Sequence, residues 1–334
     1  MSIASFSERY PEAHRALGER LRERVRFDVP LAPYLWYRVG GPADVLVFPC
    51  DEADLDWISE TARHFALPIT VVGSGTNLLV KDGGIRGVVI ALIGAFRHVV
   101  VKRTDERGVH WVKVGGGVEK PSLLTWAVDR GLAGLVFSAG VPGTIGGGIF
   151  MNAGTKYGCY GDVLDSLRLF DFQKGARTVR RDQVHFGYRH QNAVHGELVL
   201  EATFRFEPGA VDEMRVEVQR IIEERAAKQP LDYPSCGSTF KNPEGYSAGR
   251  LIEQAGLKGL RSGGAEISLK HANFILNKKD ARARDILALI AIIKRRVHER
   301  FAVELECEVV VLGEDAVEDP VSGTDRVFAG SAGI

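Results

Sequence analysis

Residues 131–155 carry no charged side chain, yet they hold eight glycines and Pro142. An uncharged run of that length invites comparison with a membrane span. Single-segment spans require helix, and glycine and proline disfavour it, so the run reads as buried, tightly turned backbone without a stable helix. The same bias marks the whole chain: 38 of its 334 residues are glycine, where an ordinary domain has about 7%. The excess is too small and too aperiodic for a fibrous protein. It must sit in particular loops, and those loops constrain the fold.

Charge narrows the partners. Lys plus Arg number 43 and Asp plus Glu number 43, a formal net charge of zero. That balance excludes a protein whose main task is tracking nucleic-acid phosphates or an anionic membrane, so neither partner is expected. The N-terminus, Met1 to Arg15, is charged early and lacks an apolar signal core. Cys50, Cys159, Cys236 and Cys307 have neither metal-site nor disulfide-framework spacing, which fits a reducing cytoplasm and no metal. The length allows two or three domains, and a monomer or weak oligomer is expected.

Periodicity predicts a mixed α+β chain. Leu17, Leu21 and Val25 recur at helical spacing near the start. Strands are predicted at Val45–Phe48, Ile69–Val72, Val88–Ile90, Val99–Lys102, Trp111–Val114, Ser166–Phe172 and Leu198–Phe206, with helices at Ala53–His64 and Pro121–Asp129. The texture changes after Glu207-Pro208-Gly209. A charged helix is predicted over 211–228, with Met214, Val218, Ile221 and Ile222 as its apolar positions. The rigid connector Gln229 to Pro234 follows, then helices Ala248–Ala255 and Ala283–Arg300 and strands Phe274–Leu276 and Val309–Leu312. The last twenty or so residues read as a loose tail.

Three glycine clusters stand beside apolar strands: Gly73-Ser74-Gly75-Thr76-Asn77-Leu78, Gly115-Gly116-Gly117, and Gly140-Val141-Pro142-Gly143-Thr144-Ile145-Gly146-Gly147-Gly148, continuing to Asn152 and Gly154. Glycine lets an amide approach an anion and lets successive amides converge. Any one cluster also fits an ordinary tight turn. Three uncharged clusters together point to a buried dinucleotide. No G-x-G-x-x-G follows a strand and no G-K-[ST] occurs, which excludes Rossmann and P-loop sites.

Val71–Val80, Gly140–Gly147 and Met151–Gly158 resemble the flavin loops of the p-cresol-methylhydroxylase/vanillyl-alcohol-oxidase type of FAD fold. Together with Tyr37–Asp44, Gly237–Pro243 and Lys270–Asn277 they resemble the UDP-N-acetylenolpyruvoylglucosamine reductase (UDP-N-acetylmuramate dehydrogenase, MurB) family over roughly residues 28–313. The resemblance implies an α+β fold of two FAD-binding subdomains, 28–92 and 93–210. An N-terminal extension of 1–27 precedes them, and a substrate domain of 211–313 and a tail of 314–334 follow. It implies FAD and NADPH as cofactors, and a UDP-sugar enolpyruvyl ether as substrate. Hydride goes to the terminal carbon of the enol ether and a proton to its neighbour. Carried over position by position, Ser238 becomes the proton donor, Arg189 the carboxylate grip and Glu308 the enolate stabiliser or acid. Tyr188, Lys228, Asn242 and His271 fall at substrate-contacting positions. Arg38, Gly73, Ser74, Gly75, Thr76, Asn77, Leu78, Gly140, Pro142, Gly143, Thr144, Gly146, Gly147, Asn152, Gly154 and Gly158 fall at the flavin.

The chain departs from the family pattern at Gln191 and Ala193, at Cys307 and Val310, at Gly148 where alanine is common, and at Leu35-Trp36. These departures bear on the substrate pocket and leave open a divergent flavin oxidoreductase, or an oxidase of the same fold, acting on another substrate. Gly245-Tyr246-Ser247-Ala248-Gly249 fits a hydrolase nucleophile elbow, but that elbow needs a strand before it and Lys241–Glu244 is a turn. Ser247 reads instead as a helix N-cap. His185, His190 and His195 recur every five residues without a common helical face, and read as loop or substrate-pocket residues.

Overall fold

In the computed structural model the described residues are 4–92 and 94–316, with the backbone of 327–328. A four-stranded sheet opens the fold, in the order Val25–Pro30, Pro42–Val47, Ile85–Ala91, Ile69–Val72. The first pair is antiparallel and the other two are parallel. Parallel neighbours need a crossover, and the helix Glu52–His64 carries the chain to the far edge. Its N-cap is Asp51, whose carboxylate accepts from the Asp54 amide at 2.9 Å. The middle strands read as near-continuous apolar runs because both faces are covered. Leu17, Leu55 and Ile58 pack on one face and Leu31, Leu35 and Val80 on the other.

The opening helix differs from expectation. It runs Pro11–Leu21 and stops where Arg22 takes a φ of 54°. Val25 therefore begins a strand, opposite Val47, and that strand straddles the expected boundary between residues 27 and 28. Asp44 is buried and accepts from Arg9 at 2.5 Å, Arg86 at 2.6 Å and the Gly87 amide at 3.0 Å. A buried carboxylate needs such partners, which gives this acid of the Tyr37–Asp44 motif a structural task.

A second sheet is antiparallel, in the order Gly175–Arg180, Leu164–Asp171, Leu198–Pro208, His110–Gly115, Val99–Thr104. Helix Lys120–Val128 packs on it through Leu123, Leu124 and Ala127. The uncharged stretch does contain a helix, Ile145–Phe150, contrary to expectation. Thr144 is its N-cap, and the Gly146 amide donates to Gly116 O at 2.8 Å. The helix lies so close to neighbouring backbone that a Cβ on Gly146 would stand 3.2 Å from Gly116 O. Tertiary contact here outweighs the poor helix propensity of glycine.

Helix Val211–Lys228 follows, with Met214 and Ile221 buried and Ile222 40% exposed. The C-terminal part packs helices Ala248–Gln254 and Ala283–Phe301 against short strands Arg261–Ser262, Ala265–Ile267 and Ile275–Asn277. Ser247 caps the first of these helices, and no elbow forms. Tyr37, Val39 and Leu79 of the first sheet region join this core. Strand Val310–Leu312 then returns and pairs in parallel with Leu78–Val80. The expected tail lies mostly outside the described residues, although the backbone of Val327–Phe328 pairs with Arg261–Ser262. Among the described residues no helix is long and apolar enough to cross a membrane, and no group of acidic, cysteine and histidine side chains could hold a metal.

Candidate active site

A cavity of about 1120 Å³ opens where the two sheets and the C-terminal part meet. That volume suits a dinucleotide together with a second ligand, since pockets for drug-sized molecules run to about 1,000 Å³. One wall is backbone. The chain leaves strand Ile69–Val72 through Gly73 to Asn77 and enters Leu78–Val80. Gly75 has a φ of 65°, and a Cβ there would lie 2.7 Å from Tyr34 O. A Cβ on Gly73 would lie 2.8 Å from Thr144 Oγ1 of the opposite loop. Gly140 turns at a φ of 69° beside Arg225. At these turns glycine lets the backbone pass close to its neighbours. The Ser74 hydroxyl is buried in the same wall with no partner among the described residues. An orphaned buried hydroxyl beside Cβ-free backbone fits a phosphate-bearing cofactor.

The opposite wall is made of side chains. Arg189 sits in the two-residue turn between Phe186–Gly187 and His190–Gln191, at a φ of 52°. A non-glycine residue held there carries backbone strain. Its Nε donates to Glu308 Oε1 at 2.5 Å, and both side chains are largely buried. Glu308 is held from two sides. Its amide donates to Thr239 O at 2.8 Å, while its carbonyl accepts from Asn77 Nδ2 at 2.9 Å. The Asn77 contact ties the first glycine loop to the acid, and the Thr239 contact ties the acid to the Ser238 segment. Asn273 clamps that segment further: its carbonyl accepts from the Thr239 amide, its Oδ1 accepts from the Phe240 amide and its Nδ2 donates to Phe240 O. Ser238, Arg189 and Glu308 therefore line one cavity, although they come from sequence positions far apart.

Other candidates divide by position. Gly73, Ser74, Gly75, Thr76, Asn77, Leu78, Gly140, Pro142, Thr144, Gly146, Gly147 and Gly154 line the cavity. Arg38, Gly143, Asn152, Gly158, Tyr188, Lys228, Asn242 and His271 are not on its lining. Arg38 donates to Pro33 O. The Gly143 carbonyl receives the Lys120 amide. Asn152 is buried and bridges Gly187 O and the Gly161 amide, while Gly158 pairs with Thr155 in a short ribbon. The Tyr188 hydroxyl meets the Asn242 amide at 3.4 Å, and Asn242 Oδ1 accepts from Ala248 N. Lys228 is exposed and pairs with Glu224 at 2.8 Å. His271 packs beside Gly249, and its Nδ1 accepts from the Asn273 amide. His185, His190 and His195 also stand off the lining. The Gln191 departure builds the local loop: its side chain is buried and bonds Ala193 N, Val194 N and Val194 O.

Sequence reasoning missed Lys120 and Arg225, which both line the cavity. Burial lowers the Lys120 pKa to about 8, with Glu119 opposing and Arg189 and Arg225 adding to the depression. Burial and the Arg189 charge also lower that of Arg225. For Arg225 a signal existed. Val218, Ile221 and Arg225 continue one helical face, so the last position of an apolar stripe is an arginine. Cys236 lines the cavity too, its thiol pushed up by burial and aimed at Leu78 O at 3.2 Å.

Residues 43–179 match the FAD binding domain family, and residues 229–312 match the family described as UDP-N-acetylenolpyruvoylglucosamine reductase, C-terminal domain. A Clostridium perfringens protein named UDP-N-acetylenolpyruvoylglucosamine reductase is 39% identical over 308 residues, 92% of this chain and 99% of the relative. A Desulforamulus reducens protein of the same name is 42% identical over 301 residues, 90% and 97% of the two chains. Among solved structures, the UDP-N-acetylenolpyruvylglucosamine reductase (MurB) of Thermus caldophilus is 36% identical, with a TM-score of 0.73 over 86% of this chain and all of its own.

Proposed function

The chain belongs to the UDP-N-acetylenolpyruvoylglucosamine reductase family, and from that premise we propose that its cavity reduces the enolpyruvyl ether of UDP-N-acetylglucosamine to UDP-N-acetylmuramate, a step of peptidoglycan precursor synthesis. The observation that carries this reading is the junction at Asn77, where the glycine wall and the Arg189–Glu308 pair are joined by one side chain. The chemistry that FAD supplies when bound is hydride relay from NADPH to the substrate. The residues that would hold it are the loops Gly73–Leu78 and Gly140–Gly147, with Gly154 and the Ser74 hydroxyl. We keep Arg38, Asn152 and Gly158 as outer supports of that site.

The chain's own residues handle charge and proton. Hydride delivery to the terminal carbon leaves carbanion character on its neighbour, delocalised into the adjacent carboxylate. Arg189 presents a planar donor pair suited to that carboxylate, and the Glu308 contact fixes its direction. The Ser238 hydroxyl would give its proton to the carbanionic carbon. A serine is a weak acid, but the carbanion is a far stronger base, so the transfer runs downhill. Glu308 would stabilise the enolate with Arg189 or act as an acid. Tyr188 and Asn242, which meet each other, and Lys228 would meet the UDP portion, with His271 in support. We also keep the division into 28–92, 93–210 and 211–313. The reading takes no metal.

The test is direct. The purified protein should carry a yellow flavin spectrum and oxidise NADPH when UDP-N-acetylglucosamine-enolpyruvate is added. A colourless protein with no such activity after incubation with FAD would overturn the proposal. Rapid oxygen consumption without the enol ether would favour an oxidase of the same fold.

A further inference from the structure

The cavity lining carries three cations, Arg189, Arg225 and Lys120, and three acids, Glu197, Asp232 and Glu308. Of Arg189, Arg225 and Lys120, only Arg189 makes an ion pair among the described residues. Lys120 is the extreme case. Its side chain is a long cation, yet the residue is only 5% exposed. Lysine is almost never buried without a partner, because an unpaired ammonium loses its hydration without recovering it. Its stem runs under Gly148, where a Cβ would lie 3.4 Å from Lys120 Cδ and 3.1 Å from the Tyr160 ring. Glycine at 148 thus leaves room chiefly for the Tyr160 ring, with the lysine stem in ordinary contact beside it. Its tip reaches Gly143, where a Cβ would lie 3.2 Å from Lys120 Nζ and 2.7 Å from Thr76 Oγ1. The ammonium therefore stands at the seam between the two glycine loops. The Ser74 hydroxyl, buried in the loop that Thr76 shares, also lacks a partner.

We propose that Lys120 is a cofactor-binding residue whose ammonium takes a diphosphate oxygen of the flavin nucleotide at the seam between loops 73–78 and 140–147. The proposal rests on the reading that this cavity takes FAD. It adds a placed cation to a site otherwise built from backbone, at the point where both loops can share one anion. A UDP-sugar carries the same diphosphate chemistry, so the experiment separates the two sources.

The flavin-free protein is prepared and titrated with FAD and with riboflavin, which has no phosphate, following flavin fluorescence. Wild type, Lys120→Met and Lys120→Arg are compared. A wild-type protein that binds neither flavin refutes the FAD reading itself. With that reading intact, Lys120→Met should weaken FAD roughly ten- to a hundredfold, the loss of one charge-assisted hydrogen bond. It should leave riboflavin within about twofold, and Lys120→Arg should keep most of the FAD affinity. Unchanged FAD affinity in Lys120→Met overturns the proposal. So does an equal loss for riboflavin, which would make the lysine a support of the ring or the fold. So does unchanged FAD affinity with a raised KM for the UDP-sugar, which would assign the subsite to the substrate.

Should both variants fail to fold by circular dichroism, the wild type decides. The unliganded ammonium loses its proton near pH 8, and a bound anion would restore it. FAD affinity should then fall by up to about tenfold per pH unit above 8, while riboflavin stays flat. The groups facing Lys120 are Glu119 on its own segment, Arg189, Arg225 and Tyr160. The guanidinium groups do not titrate in that window, and burial raises the Tyr160 pKa above its ordinary value. FAD affinity that stays flat between about pH 7 and 9.5 overturns the proposal.

Discussion

The two walls of the cavity are built from different materials. Loops 73–78 and 140–147 present backbone, and their requirement is the absence of side chains: Gly73 and Gly75 each stand where a Cβ would strike a neighbour, and Gly140 turns at a φ of 69°. The Ser238, Arg189 and Glu308 wall presents side chains, and its requirement is their placement, to which hydrogen bonds among Glu308, Thr239, Asn77 and Asn273 contribute. A backbone wall recognises a ligand through shape and amide dipoles, and any added atom harms it. A side-chain wall does chemistry, so removing one atom harms it while binding survives.

The sharpest way to break this contrast is Ser238→Ala. Removing one oxygen should slow substrate reduction by about 10² to 10⁴, the range for a lost proton donor. NADPH should still reduce the bound flavin at the wild-type rate. Stopped-flow traces of the two half-reactions check this, and loss of both would mean that Ser238 shapes the flavin site.

Next in size is Asn273→Ala. It removes the side-chain pair that clamps Phe240 and leaves the Phe240 amide and carbonyl buried without those partners. The cost should be about 2–4 kcal/mol of stability. Thermal unfolding should shift down, and kcat should fall because Ser238 loses its fixed position, while flavin content stays near wild type. A stable variant of normal kcat would show that the Glu308 strand alone holds Ser238.

Gly75→Ala probes the other wall. The new Cβ meets Tyr34 O at 2.7 Å and Leu35 Cδ2 at 2.8 Å, on backbone already at a φ of 65°. We expect about tenfold or greater loss of FAD affinity, a shift of some 1.4 kcal/mol or more. Fluorescence titration measures it. Equal flavin affinity in this variant would remove the claim that this wall works through absent side chains.

Much of this was legible in the sequence, and the failures share causes. The expected strands from Ile69 to Phe206 follow alternation and apolar runs, so their ends came out within about three residues, although Gly175–Arg180 went unexpected. The helix Ile145–Phe150 was not legible, because its glycines are poor helix formers and its stability comes from backbone packing against Gly116 that no local pattern encodes. Val25 kept helical spacing with Leu21, but the turn at Arg22 intervenes. At the site, the glycine-loop residues and Ser238, Arg189 and Glu308, which line the cavity, were carried by motifs. Lys120 was invisible because its tip meets Gly143 of a loop distant in sequence, a contact that no local pattern encodes. His271 lay within a motif whose visible task is structural: it supports Asn273, which holds the Ser238 segment.

That support yields the smallest expected effect. His271 Nδ1 accepts from the Asn273 amide at 3.2 Å, so the ring is the neutral tautomer with its proton on Nε2. Burial lowers its pKa below the ordinary 6.5, with its own backbone acting in the opposite sense and Lys258 adding to the depression. A base depressed on folding binds its proton more readily when unfolded. The unfolded state therefore takes up protons as pH falls through about 6.5, and stability is lost on the acid side of that value and complete above it. His271→Gln removes this slope. Wild type should lose about one or two degrees more than the variant between pH 7.5 and pH 5.5, beyond the drop both share, when melting is followed in matched buffers. The KM for the UDP-sugar should be unchanged at pH 7.5. Parallel melting losses in the two proteins would show that the ring does not titrate on unfolding. A raised KM would move His271 from the scaffold of the side-chain wall into its contact with substrate.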